Sequence, residues 1–168
     1  MFWKPNEYHK NVSTINWEKL KQQGFNVVVF DIDNTLDLPD KETIITKELL
    51  DYIDKVNSFG FEIIFFSNNT QERVDSFGKH FKHQCIANAK KPFRKNYKKF
   101  FVDREADKIV FVGDKIVTDV IGGNLHGGYT ILVDPLTLQK KYWYTKVMTF
   151  VENFFRKVSC FEKGNYYE

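Results

Sequence analysis

Acidic side chains follow one of the apolar segments of this sequence at a spacing that suggests a metal site. Asp31 and Asp33 come directly after residues 27–30, where a strand would run into a loop. Carboxylates two positions apart repel each other unless a cation or a shared proton lies between them. The pair therefore favours a hard divalent metal with oxygen ligands. The alternative is structural, because aspartate and asparagine are also common turn formers after a strand.

A second acidic pair repeats this arrangement further along the chain. Asp114 and Asp119 follow the apolar residues 109–112, and Gly113 between strand and acid would let the backbone turn sharply. An aspartate at a helix start would explain either acid singly. It explains poorly why two separate strands end in this way, so Asp114 is predicted to complete the metal site.

Two further groups have the chemistry to bind phosphate. Ser67, Asn68 and Asn69 follow a second apolar run and offer a hydroxyl, amides and a helix start. Lys91 or its neighbour Lys90 offers a cation, and the residues alone do not choose between them. Taken singly, a serine is as readily a helix cap and a lysine a solvated surface charge.

The elements that must hold these residues alternate along the chain. Short apolar runs at 27–30, 63–66, 109–112 and 130–133, with a weaker one at 84–87, predict strands covered on both faces. Helices are predicted over 13–23, 43–59, 69–81 and 119–126. This alternation predicts an α/β fold, a three-layer sandwich around a mostly parallel five-stranded sheet. Its length of 168 residues suits a single domain over 1–168.

An apolar stripe at spacings of three and four predicts an amphipathic C-terminal helix over about 138–162. The stripe includes Trp143, Val147 and Phe154, with basic residues beside it. It would either pack on the domain or bind an anionic membrane or a partner protein.

Bulk properties exclude several classes of protein. The formal net charge of +3 is too small for a dedicated nucleic-acid binder, so no nucleic-acid partner is expected. Cys85 and Cys160 are too few for a disulfide framework. No secretory signal is visible, and no apolar run approaches the roughly 20 residues that span a bilayer. The expectation is a cytoplasmic protein, with peripheral contact to the inner face of the membrane as the alternative.

In order, the motifs DxDxT, strand-Ser, Lys-Pro and GDxxxxD resemble those of the haloacid dehalogenase (HAD) phosphohydrolase superfamily. The run DIDNTL, the Lys91-Pro92 step and Gly122-Gly123-Asn124 are similar to the YqeG-type subfamily (HAD subfamily IIIA), which is related to phosphatidylglycerophosphate phosphatases. The similarity covers about 15–135, and Lys115 departs from it where relatives often carry glutamine.

The resemblance implies a role for each motif residue. Asp31 would be the nucleophile and form an aspartyl phosphate, with Asp33 as general acid and base. Mg²⁺ would be held by the Asp31 and Asp114 carboxylates and the Asp33 carbonyl. Lys91 would be catalytic and would also bind the substrate phosphate. The other phosphate-binding residues would be Thr35, Ser67 and Asn68, and Asp119 would support the site.

The same resemblance implies a HAD-like fold and a phosphorylated substrate. The intervals between motifs leave no room for a large cap domain, which suits a bulky or interfacial substrate such as phosphatidylglycerophosphate at a membrane surface. Protein, nucleotide and sugar phosphates stay open, as do a phosphotransferase activity and a catalytically silent protein-interaction module. An oligomer that supplies a cap is a further possibility.

Overall fold

The strands form from short runs of β-branched and aromatic residues, which pack well on a pleated surface. The computed structural model describes residues 2–39, 43, 45–137, 154 and 164–167. Within these residues the strands are β1 (Glu7–His9), β2 (Val27–Phe30), β3 (Glu62–Phe66), β4 (Gln84–Ile86), β5 (Ile109–Gly113) and β6 (Tyr129–Val133).

All six strands that the described residues form run parallel in one sheet, in the order β1-β6-β5-β2-β3-β4. The predicted α/β class and parallel sheet are confirmed, but the predicted number of five strands is wrong. The missed strand is β1, which has only three residues. Its polar Glu7 and His9 are buried and hydrogen-bonded to each other at 2.8 Å, so the segment carries no apolar run to reveal it.

Helices cover both faces of the sheet. They are α1 (Trp17–Gln22), α2 (Lys47–Ser58), α3 (Gln71–Gly78), α4 (Arg94–Phe100) and α5 (Gly122–His126). The first three pack against one face, where Phe30 and Phe65 point, and α4 packs against the other, where Phe66 and Phe111 point. Because successive strand residues face opposite sides, the continuously apolar strands supply both cores. The three-layer arrangement is therefore as predicted.

Hydroxyl caps move several helix starts away from the predicted positions. Thr46 accepts a hydrogen bond from the backbone of Leu49 and begins α2, and Thr70 does the same for Arg73 and begins α3. Asn69, at the predicted start of α3, donates from its side-chain amide to Asp33 instead. Asp119 lies inside a π-helical segment, Ile116–Ile121, which precedes α5.

The predicted C-terminal helix over about 138–162 lies outside the described residues, apart from Phe154. Among the residues that the structure does describe, no helix is both long enough and apolar enough to cross a bilayer.

Candidate active site

The predicted motif residues gather at the carboxyl edge of the sheet. Asp31, Ser67 and Asp114 follow β2, β3 and β5, which are three adjacent strands with β2 in the middle. The backbone of Asp31 donates to the Val112 carbonyl at 2.9 Å and so continues the pairing of β2 with β5. Ligands of open α/β sheets bind at this edge.

Lys91 lies at the centre of this group. Its buried ammonium contacts one carboxylate oxygen of Asp31 and one of Asp119, each at 2.6 Å. Burial opposes the charged form, but Asp119 and Asp31 outweigh it and raise the pKa of Lys91, so the side chain stays cationic. Lys90 is exposed. The structure thus brings Lys91, rather than Lys90, to the acidic residues.

Three buried carboxylates form a compact acidic group. Ligand atoms of Asp31, Asp114 and Asp119 lie within 4.8 Å of one another. Burial, opposed by Lys115 and reinforced by the other two acids, raises the pKa of Asp114 to about 7. Burial likewise raises the pKa of Asp119, against the attraction of Lys91. Concentrated negative charge in a desolvated site favours a bound cation.

The donor set fits Mg²⁺, which prefers hard oxygen ligands such as these carboxylates. Among the described residues, two ammonium groups, Lys91 and Lys115, contact the three acids, which leaves one net negative charge. Both oxygens of Asp119 accept hydrogen bonds from N–H groups, of Lys91 and of the Lys115 backbone, whereas the second oxygen of Asp31 has only a long 3.4 Å contact with Thr35. Asp31 and Asp114 are therefore the better candidates for metal ligands, and Asp119 holds Lys91.

Lys115, which departs from the motif pattern noted in the sequence, pairs with one of the three acids. Its ammonium contacts the Asp114 carboxylate at 2.6 Å, and the side chain is 39% exposed. A cation that binds Asp114 would have to share or replace this ion pair.

Three predicted phosphate-binding residues have distinct surroundings. The buried Thr35 hydroxyl donates to Asp31 at 3.4 Å, a long contact within the loop that follows β2. Ser67 accepts from the Asn69 backbone at 3.1 Å, and its own proton is left for another acceptor. The Asn68 amide bonds both to the carbonyl and to the N–H of Lys91, at 3.1 and 2.6 Å. Asn68 thereby fixes the backbone that carries the lysine.

Asp33 has partners that differ from those of Asp31. One of its oxygens accepts from Asn69 at 3.0 Å, and the other contacts the Arg73 guanidinium at 2.9 Å. Arg73 also contacts Asp37 at 2.9 Å and donates to the Leu38 carbonyl and the Thr43 hydroxyl. This buried guanidinium ties α3 to the loop that follows β2.

Sequence reasoning missed Arg73 and Asp37. A signal for Arg73 was present, because it lies four positions before Phe77 and so on the apolar face of α3. A charged residue on a buried helix face needs a partner. The sequence alone did not identify that partner.

Gly113 is required for a different reason from the one predicted. Its φ is not among the positive values found in this chain, so no sharp left-handed turn occurs there. A Cβ at Gly113 would instead overlap the Asp119 carboxylate. The glycine therefore makes room for the acid that holds Lys91.

Comparison with known proteins gives a consistent result. The family model described as "Mitochondrial PGP phosphatase" matches residues 2–136. "Probable phosphatase YqeG" of Bacillus subtilis is 34% identical over 137 residues, which cover 80% of this chain and 79% of that protein. "Phosphatidylglycerophosphate phosphatase 1, chloroplastic/mitochondrial" of Arabidopsis thaliana is 33% identical over 140 residues, which cover 76% of this chain but only 40% of the plant protein.

A solved structure of an uncharacterized protein from Listeria monocytogenes serotype 4b shares the fold. It superposes with a TM-score of 0.57 and 18% identity, over 79% of this chain and 99% of that one. At this identity the likeness concerns the fold alone.

Proposed function

The chain belongs to the PGP phosphatase family and is a phosphatase of the HAD superfamily, and we propose that it hydrolyses phosphate monoesters through an aspartyl phosphate on Asp31. The observation that carries this proposal is the buried Lys91 ammonium, 2.6 Å from both Asp31 and Asp119. The Lys91 ammonium lies beside the carboxylate that would act as nucleophile. Its positive charge would offset the repulsion between that carboxylate and the anionic phosphoryl group.

In the first step, a carboxylate oxygen of Asp31 attacks phosphorus and the bond from phosphorus to the ester oxygen breaks. Asp33 takes up a proton when the anionic substrate binds and gives it to that oxygen as the alcohol leaves. Arg73 and Asn69 hold the Asp33 carboxyl on two sides, so its position is set by α3 and its N-terminal loop.

In the second step, water attacks the phosphorus of the aspartyl phosphate. Asp33 takes the proton of that water, the bond from phosphorus to Asp31 breaks, and inorganic phosphate leaves. Asp31 returns to its carboxylate form, and Asp33 releases its proton to solvent, so that its carboxylate pairs with Arg73 again before the next cycle.

The surrounding groups orient the phosphoryl oxygens. Lys91 and the Ser67 hydroxyl would contact these oxygens, and Asn68 and Asp119 hold the lysine in place. Mg²⁺, held by the Asp31 and Asp114 carboxylates and the Asp33 carbonyl, would supply charge stabilisation when bound.

The proposed substrate is a phospholipid monoester such as phosphatidylglycerophosphate. Support comes from the name of the Arabidopsis relative and from the family model. Within the described residues, one helix (α2) lies between Asp31 and Ser67, and one (α3) between Ser67 and Lys91, so neither interval holds a large cap. An uncapped site can accept a bulky substrate. A cytoplasmic location and the oligomeric state stay predictions.

The test measures phosphate release by the purified chain with Mg²⁺ and with EDTA. The variants are Asp31→Asn and, as a matched control, Asp51→Asn on the exposed surface of α2. Substrates are an aryl phosphate, nucleotide and sugar phosphates, a phosphopeptide, and phosphatidylglycerophosphate in mixed micelles. Acid-quenched protein is analysed by mass spectrometry for a phosphoryl group on Asp31.

We expect release that needs Mg²⁺ and Asp31, with the lipid preferred and Asp51→Asn fully active. Release that persists in Asp31→Asn would contradict the mechanism. A phosphorylated acceptor in place of free phosphate would indicate a phosphotransferase. Folded protein that releases no phosphate from any of these substrates would favour an interaction module.

A further inference from the structure

Large apolar side chains are exposed on segments that leave the carboxyl edge of the sheet. Leu38 is 42% exposed, Phe93 67% and Leu136 48%. Leu38 follows β2, Phe93 follows β4, and Leu136 follows β6. In a parallel sheet all of these strands end at the same edge, which is also the edge that carries Asp31.

Each of these segments is tied to the catalytic residues. Leu136 donates its backbone N–H to the Asn34 carbonyl at 2.9 Å, within the nucleophile loop. The Leu38 carbonyl accepts from Arg73. Phe93 lies two residues after Lys91, so their Cα atoms are at most about 7 Å apart. These three exposed apolar groups therefore lie on segments that contact or adjoin residues of the site.

Basic residues lie beside Phe93. The sequence from 84 to 102 has no acidic residue, and the structure exposes five of its six basic side chains. These exposed residues are Lys90, Arg94, Lys95, Lys98 and Lys99. Arg94 and Lys98 are four residues apart and so lie on the same side of α4. The sixth lysine, Lys91, is the one in the active site.

We propose that these residues form a docking surface for an anionic lipid bilayer, called here the carboxyl-edge rim. It consists of the apolar Leu38, Phe93 and Leu136 and the cations Lys90, Arg94 and Lys95. Aromatic and aliphatic groups that enter the interface, next to cations that contact acidic headgroups, are the chemistry that binds such a surface.

The rim extends the proposed function, because it would place a membrane-held phosphate in front of Asp31. With no large cap in the described intervals, the bilayer itself would cover the site. The rim does not require the predicted C-terminal helix. A phosphoprotein partner would use the cations but gives no reason for three exposed apolar groups at the same edge of the sheet.

The size of the effect follows from the chemistry of the rim. Each basic residue at an anionic membrane surface contributes about fivefold in partitioning. Loss of Arg94 and Lys95 should therefore weaken vesicle binding about 25-fold. Removing the phenyl ring of Phe93 should weaken it about tenfold, roughly half of the transfer effect of a fully buried phenylalanine.

The experiment is co-sedimentation of the full chain with phosphatidylcholine vesicles that contain or lack phosphatidylglycerol. The variants are Phe93→Ser and the double variant Arg94→Gln/Lys95→Gln. Val102→Ser is the matched apolar control, because Val102 is 73% exposed but follows α4 at the end away from the carboxyl edge. Lys55→Gln/Lys79→Gln is the matched charge control, with one exposed lysine on α2 and the other at the C-cap of α3. Circular dichroism confirms that each variant is folded.

We expect binding that requires phosphatidylglycerol, is about tenfold weaker in Phe93→Ser and about 25-fold weaker in Arg94→Gln/Lys95→Gln, and is unchanged in both controls. All variants should keep native turnover of a small aryl phosphate. Equal binding by rim and control variants, or equal binding to neutral vesicles, would overturn the proposal. Saturable binding to a phosphopeptide with none to vesicles would also overturn it.

Binding does not depend on catalysis, so this test is separable from that of the proposed function. Asp31→Asn should bind vesicles as the native chain does and hydrolyse nothing. Vesicle binding by a protein without phosphatase activity would refute the mechanism and support the rim. Activity on aryl phosphate without vesicle binding would do the reverse.

Discussion

Replacing Arg73 with methionine should lower both the stability and the turnover of this chain. Adding Asp37→Asn should restore part of the stability but not the turnover. The guanidinium contacts the carboxylates of Asp33 and Asp37, each at 2.9 Å, and the side chain is only 7% exposed. Methionine fills similar space but leaves both carboxylates without their shared cation. Arg73→Met therefore removes one partner of two largely buried ion pairs.

The expected cost follows from this burial. Breaking a buried pair by removing one partner typically costs 3–5 kcal/mol, because an uncompensated charge stays behind. The side chains of Asp33 and Asp37 are 17% and 10% exposed, so some water can solvate them. We therefore expect a loss of about 3 kcal/mol and a fall in Tm of about 6–12 °C.

The assay is urea unfolding together with steady-state turnover of an aryl phosphate. Asp37→Asn in the Arg73→Met background removes one of the two stranded charges and should recover about 1–2 kcal/mol. It should not recover kcat, because Asp33 would still lack its guanidinium. General acid and base catalysis typically raises the rate at least about a hundredfold. A misplaced Asp33 should therefore lower kcat by up to about that factor.

Arg104→Met is the matched control, since Arg104 pairs with Glu62 at the surface, where ion pairs are worth about 1 kcal/mol or less. Equal destabilisation by the two arginine variants would refute the buried-pair argument. Full recovery of kcat by Asp37→Asn would refute the positioning of Asp33 by Arg73.

Three other predictions concern the acidic group. Gly113→Ala should displace the Asp119 carboxylate from Lys91 and cost about 1–3 kcal/mol together with most of the turnover; a variant as stable and active as native chain would contradict this. Because folding raises the pKa of Asp114 from 3.8 to about 7, metal-free protein should lose stability, up to about 4 kcal/mol, as pH rises through that window. The gain in Tm on adding Mg²⁺ should therefore be larger at pH 8 than at pH 5, and a gain independent of pH would count against Asp114 as a ligand. Lys115→Gln should tighten Mg²⁺ binding about two- to fivefold by calorimetry, as expected for a partly exposed ion pair, and weaker binding would show that the ammonium does not compete with the metal.

Much of the site was predictable because its residues lie at the ends of strongly apolar strands. The runs before Asp31, Ser67 and Asp114 are buried on both faces, and a parallel sheet places their carboxyl ends at one edge. The motif order then identifies the family, which the comparisons confirm. The roles of the individual residues stay predictions.

The rest depended on contacts between residues far apart in the chain. Strand β1 is short and polar, and its burial comes from pairing with β6, more than a hundred residues later. Lys91 is distinguished from Lys90 by the Asp31 and Asp119 carboxylates, which are 60 and 28 positions away. Local patterns hold no information on such pairs.

The sequence by itself determined the α/β class, the parallel sheet and the edge at which the acidic residues meet, because periodicity and strand ends are local properties. Tertiary structure decided which cation neutralises which acid: Lys91 on Asp31 and Asp119, and Arg73 on Asp33 and Asp37. It also decided that Gly113 is needed to leave room for the Asp119 carboxylate rather than to form a sharp turn. The physical reason is that Coulomb attraction and steric exclusion act over a few ångströms in space, whatever the separation along the chain.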